Sequence, residues 1–91
     1  MFFAWDGRKE AENRKKHGVS FREAVTVMGD PLSTTYPDLA HSEGEQRSVT
    51  IGMSDRGTIM VVAHTEEDGT VRIISARRAT RHERRFYEEE R

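Results

Sequence analysis

Cysteine is absent from the chain, which excludes a disulfide framework and any thiolate metal site and agrees with a reducing cytoplasm. Long apolar runs are missing as well. The longest, Met1–Trp5 and Ile59–Ala63, hold five residues each, far short of a membrane span or the core of a secretory leader, so a soluble cytoplasmic protein is expected. Hydrophobic residues make up only 34% of the chain and charged residues another 34%. The core is therefore modest, and a partner that covers part of the surface is expected. No internal repeat or low-complexity segment breaks the ninety-one residues, which read as one domain spanning 1–91. The four histidines show no metal-ligand spacing, so neither a metal nor another cofactor is expected.

What is present is unevenly distributed charge. The formal net charge is −1, yet residues 1–29 carry six basic and four acidic groups, residues 30–70 two basic and eight acidic, and residues 71–91 seven basic and four acidic. Of the fifteen cationic side chains, twelve are arginine. A guanidinium binds phosphate through two parallel hydrogen bonds and stacks on bases, so this bias leans toward phosphate or nucleic acid. The stretch "RIISARRATRHERR", residues 72–85, concentrates six of them.

Asp6 is placed to cap a helix over about 7–17, which His17-Gly18 ends. Ser20 opens S-F-R-E, a capping box, and Phe21, Ala24, Val25 and Met28 form the apolar stripe of a second helix over about 21–28. "LSTTYP" reads as an edge strand ending at Pro37, and "DLAHSEGE" as a mobile acidic loop. Residues 46–54, 58–66 and 70–77 are β-rich and separated by Asp-Arg-Gly and Glu-Asp-Gly, which predicts an antiparallel meander. With two-residue turns at Arg56-Gly57 and Asp68-Gly69, Arg47, Val49, Ile51, Met53, Met60, Val62, His64, Val71, Ile73 and Ser75 share one face. Thr50, Val61, Ala63, Arg72 and Ile74 share the other. A three-residue turn would reverse the partners of one strand. Thr80-Arg81-His82-Glu83 is a second capping box and starts a C-terminal helix. The expected fold class is α+β: two N-terminal helices, an antiparallel sheet of three to four strands in a meander, and a C-terminal helix.

Three strings, "WDGRKEAENRKKHGVSFREA", "HSEGEQRSVTIGMSDRG" and "RIISARRATRHERRFYEE", together resemble the BrnT family, the toxin half of bacterial type II toxin–antitoxin pairs. The resemblance covers essentially the whole chain. It implies a RelE-like fold and a metal-independent endoribonuclease that inhibits translation. It also implies a hetero-oligomer with BrnA, an antitoxin carrying a ribbon-helix-helix part, with DNA reached only through that antitoxin and no membrane partner.

Metal-free RNA cleavage by the neighbouring 2′-hydroxyl needs a base, an acid and cations around the charge that builds on phosphorus. Arg72, Arg77 and Arg78, read as lying together at the strand end without local acidic partners, and Arg47, expected near Glu66, are the candidate cations. His64, Glu45 and Tyr87 are the candidates for proton transfer, since arginine holds its proton too firmly. His64 reads equally as a core histidine, and Tyr87 as a packing residue. Arg81, Arg84 and Arg85 read as a helix face offset by Glu88, Glu89 and Glu90, of which Glu88 and Glu89 stand at i+3 or i+4 from Arg84 and Arg85. His17 and His82 read as helix-terminus residues, and Phe2, Phe3 and Trp5 as core plugs or partner contacts. The competing function is a non-catalytic module whose basic end docks a protein or nucleic acid.

Overall fold

The computed structural model describes residues 1–41 and 44–89. Its elements are β1 (Phe2–Ala4), α1 (Gly7–His17), α2 (Phe21–Val27), β2 (Thr34–Pro37), a 3₁₀ turn (Leu39–His41), β3 (Arg47–Met53), β4 (Ile59–Glu67), β5 (Thr70–Arg78) and α3 (Arg81–Glu89). The five strands form one sheet in the order β1-β5-β4-β3-β2. The α+β class, the two N-terminal helices, the β3–β4–β5 meander and the C-terminal helix match the sequence reading. The sheet differs from it in having five strands where three to four were expected and in being mixed, because β1 pairs with β5 in parallel. Three residues are too few to show a periodicity, and this pairing joins the two ends of the chain. Within the expected acidic loop, Leu39–His41 form a 3₁₀ turn, while Ser42 and Glu43 lie outside the described residues.

Local chemistry accounts for the helices. The Asp6 carboxylate accepts hydrogen bonds from the backbone N–H groups of Arg8 and Lys9 at 2.8 and 3.2 Å, and these bonds hold its pKa below the usual carboxylate value. At the other end of α1, the Arg78 guanidinium donates to the His17 carbonyl at 3.3 Å. Ser20 caps α2 by accepting from the Glu23 N–H at 3.1 Å. The Glu23 carboxylate accepts from the Ser54 hydroxyl at 2.7 Å, tying α2 to the β3–β4 turn where a closed capping box was expected.

The core lies between α2 and one face of the sheet. Val19, Phe21, Ala24 and Val27 pack on Met60, Val62, Val71, Ile73 and Ala76, and the Trp5 ring meets Phe21 edge-on at 6.2 Å. α1 is polar nearly all round and buries only Asn13. The Asn13 side chain donates to the Ala76 carbonyl at 2.8 Å and accepts from the Ala76 N–H at 3.2 Å. β1 ends opposite Arg72, so this amide takes the place of a neighbouring strand where the β5 edge would otherwise be unpaired.

Register decides which residues share a face, and two features set it. The β3–β4 connection is a three-residue turn closed by Ser54 N–H to the Thr58 carbonyl at 2.8 Å, with Gly57 at φ 79°. This reverses the expected β3 assignment: Thr50 lies opposite Val62, and Arg47 lies opposite Thr65 and not near Glu66. The β4–β5 turn is the expected two-residue one, Asp68-Gly69, with both φ angles positive. Farther along β5, a bulge falls at Ile74, since Ile73 pairs with His64 and Ser75 with Ala63. Beyond the bulge Ala76 faces the core where alternation had placed Ser75.

Candidate functional site

The face of the sheet turned away from α1 and α2 carries three rows of side chains fixed by strand pairing. Arg47, Thr65 and Arg72 form the first row across β3, β4 and β5. Tyr36, Val49, Ala63 and Ser75 form the middle row, and Thr34, Ile51, Val61 and Arg77 the third. Arg47 and Arg72 are therefore two strand spacings apart, about 10 Å, and Arg77 lies about 13 Å from their row along the strands. The result is a shallow trough with a neutral floor between two rows that bear guanidinium groups. Beside Arg72, a cavity of about 340 Å³ is lined by Glu45, Thr65, Glu67, Asp68 and Thr70.

α3 closes one end of this trough. Its capping box forms as expected, with the Glu83 carboxylate accepting from the Thr80 N–H at 2.8 Å and the Thr80 hydroxyl accepting from the Glu83 N–H at 3.2 Å. The same carboxylate takes both terminal nitrogens of Arg77, at 2.7 and 2.8 Å. The Arg77 fork, chiefly, lowers the Glu83 pKa to about 2, and Glu83 in turn raises that of Arg77. Arg77 thus has an acidic partner six residues on, which its immediate sequence neighbourhood does not display. Between α3 and the sheet is a cleft of about 520 Å³ lined by Thr34, Tyr36, Ile51, His82, Glu83 and Phe86. Burial and the nearby Glu83 charge push the Tyr36 phenol pKa up, so its hydroxyl is a donor at neutral pH.

The structure brings Arg47, Arg72, Arg77 and Glu45 to this face. It does not bring the others. Arg72 sits near the start of β5 and not at its end, and Arg78 faces the core side, where it caps α1. His64 is 6% exposed in the core, its Nε2 within 2.7 Å of the Thr50 hydroxyl, which lies 2.7 Å from Thr35. Desolvation lowers its pKa, against a smaller opposing pull from Glu66. Tyr87 is 3% exposed and donates to Asp30 at 2.6 Å, anchoring α3 to the end of α2. The expected ion pairs along α3 do not form: among the described residues no carboxylate pairs with Arg81, Arg84 or Arg85, and Glu90 lies outside them. Arginine N-terminal to glutamate is the weaker order on a helix, and exposed pairs of long side chains lose as much entropy as they gain in attraction. Sequence reasoning missed Tyr36 and His82 as members of a site. The available signal was the His82–Phe86 spacing of four on one helix face. Among the described residues no group of His, Asp and Glu converges as a metal-holding set, and no helix is long and apolar enough to cross a membrane.

A family model described as the ribonuclease toxin BrnT of type II toxin–antitoxin systems matches residues 5–83. Among solved structures, the chain is similar to the 1.1 Å crystal structure of the Brucella abortus ribonuclease toxin BrnT, with a TM-score of 0.69 and 21% identity. That likeness covers 89% of this chain and 100% of the other and is a likeness of fold. Curated protein sequences give no match.

Proposed function

This chain belongs to the BrnT family of ribonuclease toxins of type II toxin–antitoxin systems, and from that premise we propose that it cleaves single-stranded RNA on the trough of the sheet, without a metal ion. The observation that carries this reading is the register: it sets Arg47 and Arg72 on one row of the same face, two strand spacings apart. Arginines held on paired strands are rigid donors, able to bind the non-bridging oxygens of phosphates at different points along one strand. In the proposed reaction the 2′-hydroxyl oxygen attacks the adjacent phosphorus as a base takes its proton. The bond from phosphorus to the 5′-oxygen breaks and that oxygen is protonated, leaving a 2′,3′-cyclic phosphate and a 5′-hydroxyl. Glu45, which lines the cavity beside Arg72 together with Glu67 and Asp68, is the carboxylate assigned here to take the proton. The Arg72 guanidinium stabilises the charge that grows on the phosphate.

The proposed partner is a BrnA-like antitoxin with a ribbon-helix-helix part, which covers this face, holds the toxin inactive in the cytoplasm and supplies the complex's DNA contact. Cleavage of cellular RNA would stop translation. The test is incubation of the purified chain with single-stranded RNA in the presence of a divalent-metal chelator. Cleavage to cyclic-phosphate ends, suppressed by the antitoxin, is expected. Loss of cleavage in chelator would overturn the metal-free mechanism. Tight RNA binding with no cleavage under any condition would make the chain a docking module.

A further inference from the structure

The cleft under α3 has a construction that the cleavage chemistry leaves unused. Phe21 and Tyr87 are buried, Phe3 and Trp5 pack against the core, and Phe2 lies on the far edge strand β1. The two aromatic side chains left over are Tyr36, 40% exposed, and Phe86, 37% exposed, and both line the same cleft, one from the sheet and one from the helix. Its floor is Ile51, which is almost fully buried. Large apolar rings left half in solvent are costly on a chain with so few apolar residues, unless a flat ligand covers them.

The polar groups around the cleft suit a base. The Thr34 and Tyr36 hydroxyls and the His82 imidazole offer donors and acceptors at its rim. Its one full charge, Glu83, is cancelled by the two-point pair with Arg77. A neutral aromatic cleft thus stands about 13 Å along the strands from the row that bears Arg47 and Arg72. That division matches the two halves of a nucleotide, a neutral flat base and an anionic phosphate. An acidic peptide would gain from the arginines but would leave the aromatic walls unused.

Building on the reading of this face as the RNA surface, we infer that the cleft receives one unstacked nucleobase of the substrate strand, held between Tyr36 and Phe86, while the strand runs on so that its phosphates reach the Arg47–Arg72 row. The cleft then reads a base at a fixed distance from the cut and contributes to binding, with no part in bond making.

Two measurements test this. In the first, the intact protein is titrated with a 2′-O-methyl RNA oligonucleotide, which cannot be cleaved, and the ring protons of Tyr36 and Phe86 are followed by NMR. Upfield ring-current shifts of both rings are expected, and unshifted rings at saturation would overturn the inference. In the second, Phe86→Leu and Tyr36→Leu keep apolar volume but remove stacking. For each, KM for single-stranded RNA should rise roughly tenfold and the nucleotide preference at that distance from the cut should flatten, while kcat and thermal melting stay near wild type. Phe86→Tyr should restore KM. If the wild type cleaves RNA and both leucine variants match it in KM and preference, the cleft is not a base site although the ribonuclease reading stands. A wild type that neither cleaves nor binds RNA overturns both. Ring shifts produced by the antitoxin and not by the oligonucleotide would assign the cleft to the protein partner and overturn the inference.

Discussion

Asn13 shows how a single polar side chain can hold an element that has no apolar face. α1 buries nothing else, and its amide satisfies both backbone groups of Ala76 just past the bulge in β5. Asn13→Ala leaves a buried N–H and carbonyl without partners, so a loss of about 2 to 3 kcal/mol is expected, read as a lower denaturant midpoint at unchanged slope. Asn13→Asp should recover little, because a carboxylate can accept from the Ala76 N–H but has no donor for the carbonyl. Recovery to wild type would show that the donor half of the pair is unimportant. Gly52 is constrained in a different way. A Cβ there would stand 2.8 Å from the Ser33 Cβ and 2.9 Å from Val27 Cγ1, and Val27 is fully buried with no room to retreat. Gly52→Ala is expected to cost about 1 to 3 kcal/mol by overpacking, and a melting temperature equal to wild type would mean the β2–α2 junction yields freely.

At the scale of elements, β5 decides the site. Arg72 and Arg77 are separated by an odd number of positions, so in a regular strand they would point to opposite faces. The extra residue at Ile74 turns both to the trough. Element existence and most boundaries were legible in the sequence because caps and Gly turns are local chemistry: Asp6, Ser20, Thr80 and Asp68-Gly69 act within a few residues of themselves. Register was not legible, since a three-residue turn at Asp55–Gly57 and a bulge at Ile74 are each settled by packing against α2 and α1. The ion pairs were hidden for a related reason, as Glu83 reaches Arg77 only because the chain folds back at Ala79-Thr80. Of the candidate residues, Arg47, Arg72, Arg77 and Glu45 share the trough face and Arg78 does not, whereas the Tyr36–Phe86 cleft joins segments fifty residues apart. Arg72→Ala is expected to lower RNA cleavage roughly a hundredfold with the fold intact, as loss of a preorganised charge donor does elsewhere. Arg84→Ala and Arg85→Ala, exposed on α3 and without an ion-pair partner among the described residues, should leave melting and cleavage nearly unchanged. Cleavage rates beside melting curves decide this: loss of activity in the helix variants with retention in Arg72→Ala would move the catalytic surface onto α3.

For the whole molecule, three depressed pKa values set how stability responds to acid: His64 acts near neutrality, and Glu83 acts in the acid range together with the exposed Asp6 cap. His64 is held neutral in the core by desolvation, so its folded pKa lies below the ordinary 6.5. Above that value neither state is protonated and the group contributes no pH dependence. As pH falls below it, the unfolded chain takes up a proton that the folded chain refuses, and stability declines by at most about 1.4 kcal/mol per pH unit. Glu83 has a folded pKa of about 2 against 4.5 for the free side chain. Its pair with Arg77 therefore stabilises the fold fully above the higher value and is lost progressively as pH falls toward the lower. Both effects have the same sign, so the melting temperature should fall in two stages, one beginning near neutrality and one below about pH 4.5. Each stage can be altered separately. His64→Gln, whose amide reaches the position of Nε2 beside Thr50, should flatten the profile just below about pH 6.5 and leave the acid stage alone. Glu83→Gln should lower stability at neutral pH by about 1 kcal/mol, a value reduced for its partial exposure, and shrink the acid stage to what the Asp6 cap contributes. The measurement is the urea midpoint of the three proteins from pH 3 to 8. If His64→Gln retains the slope near neutrality, the first stage belongs to another group, and the buried imidazole takes up its proton equally in the folded and unfolded chain.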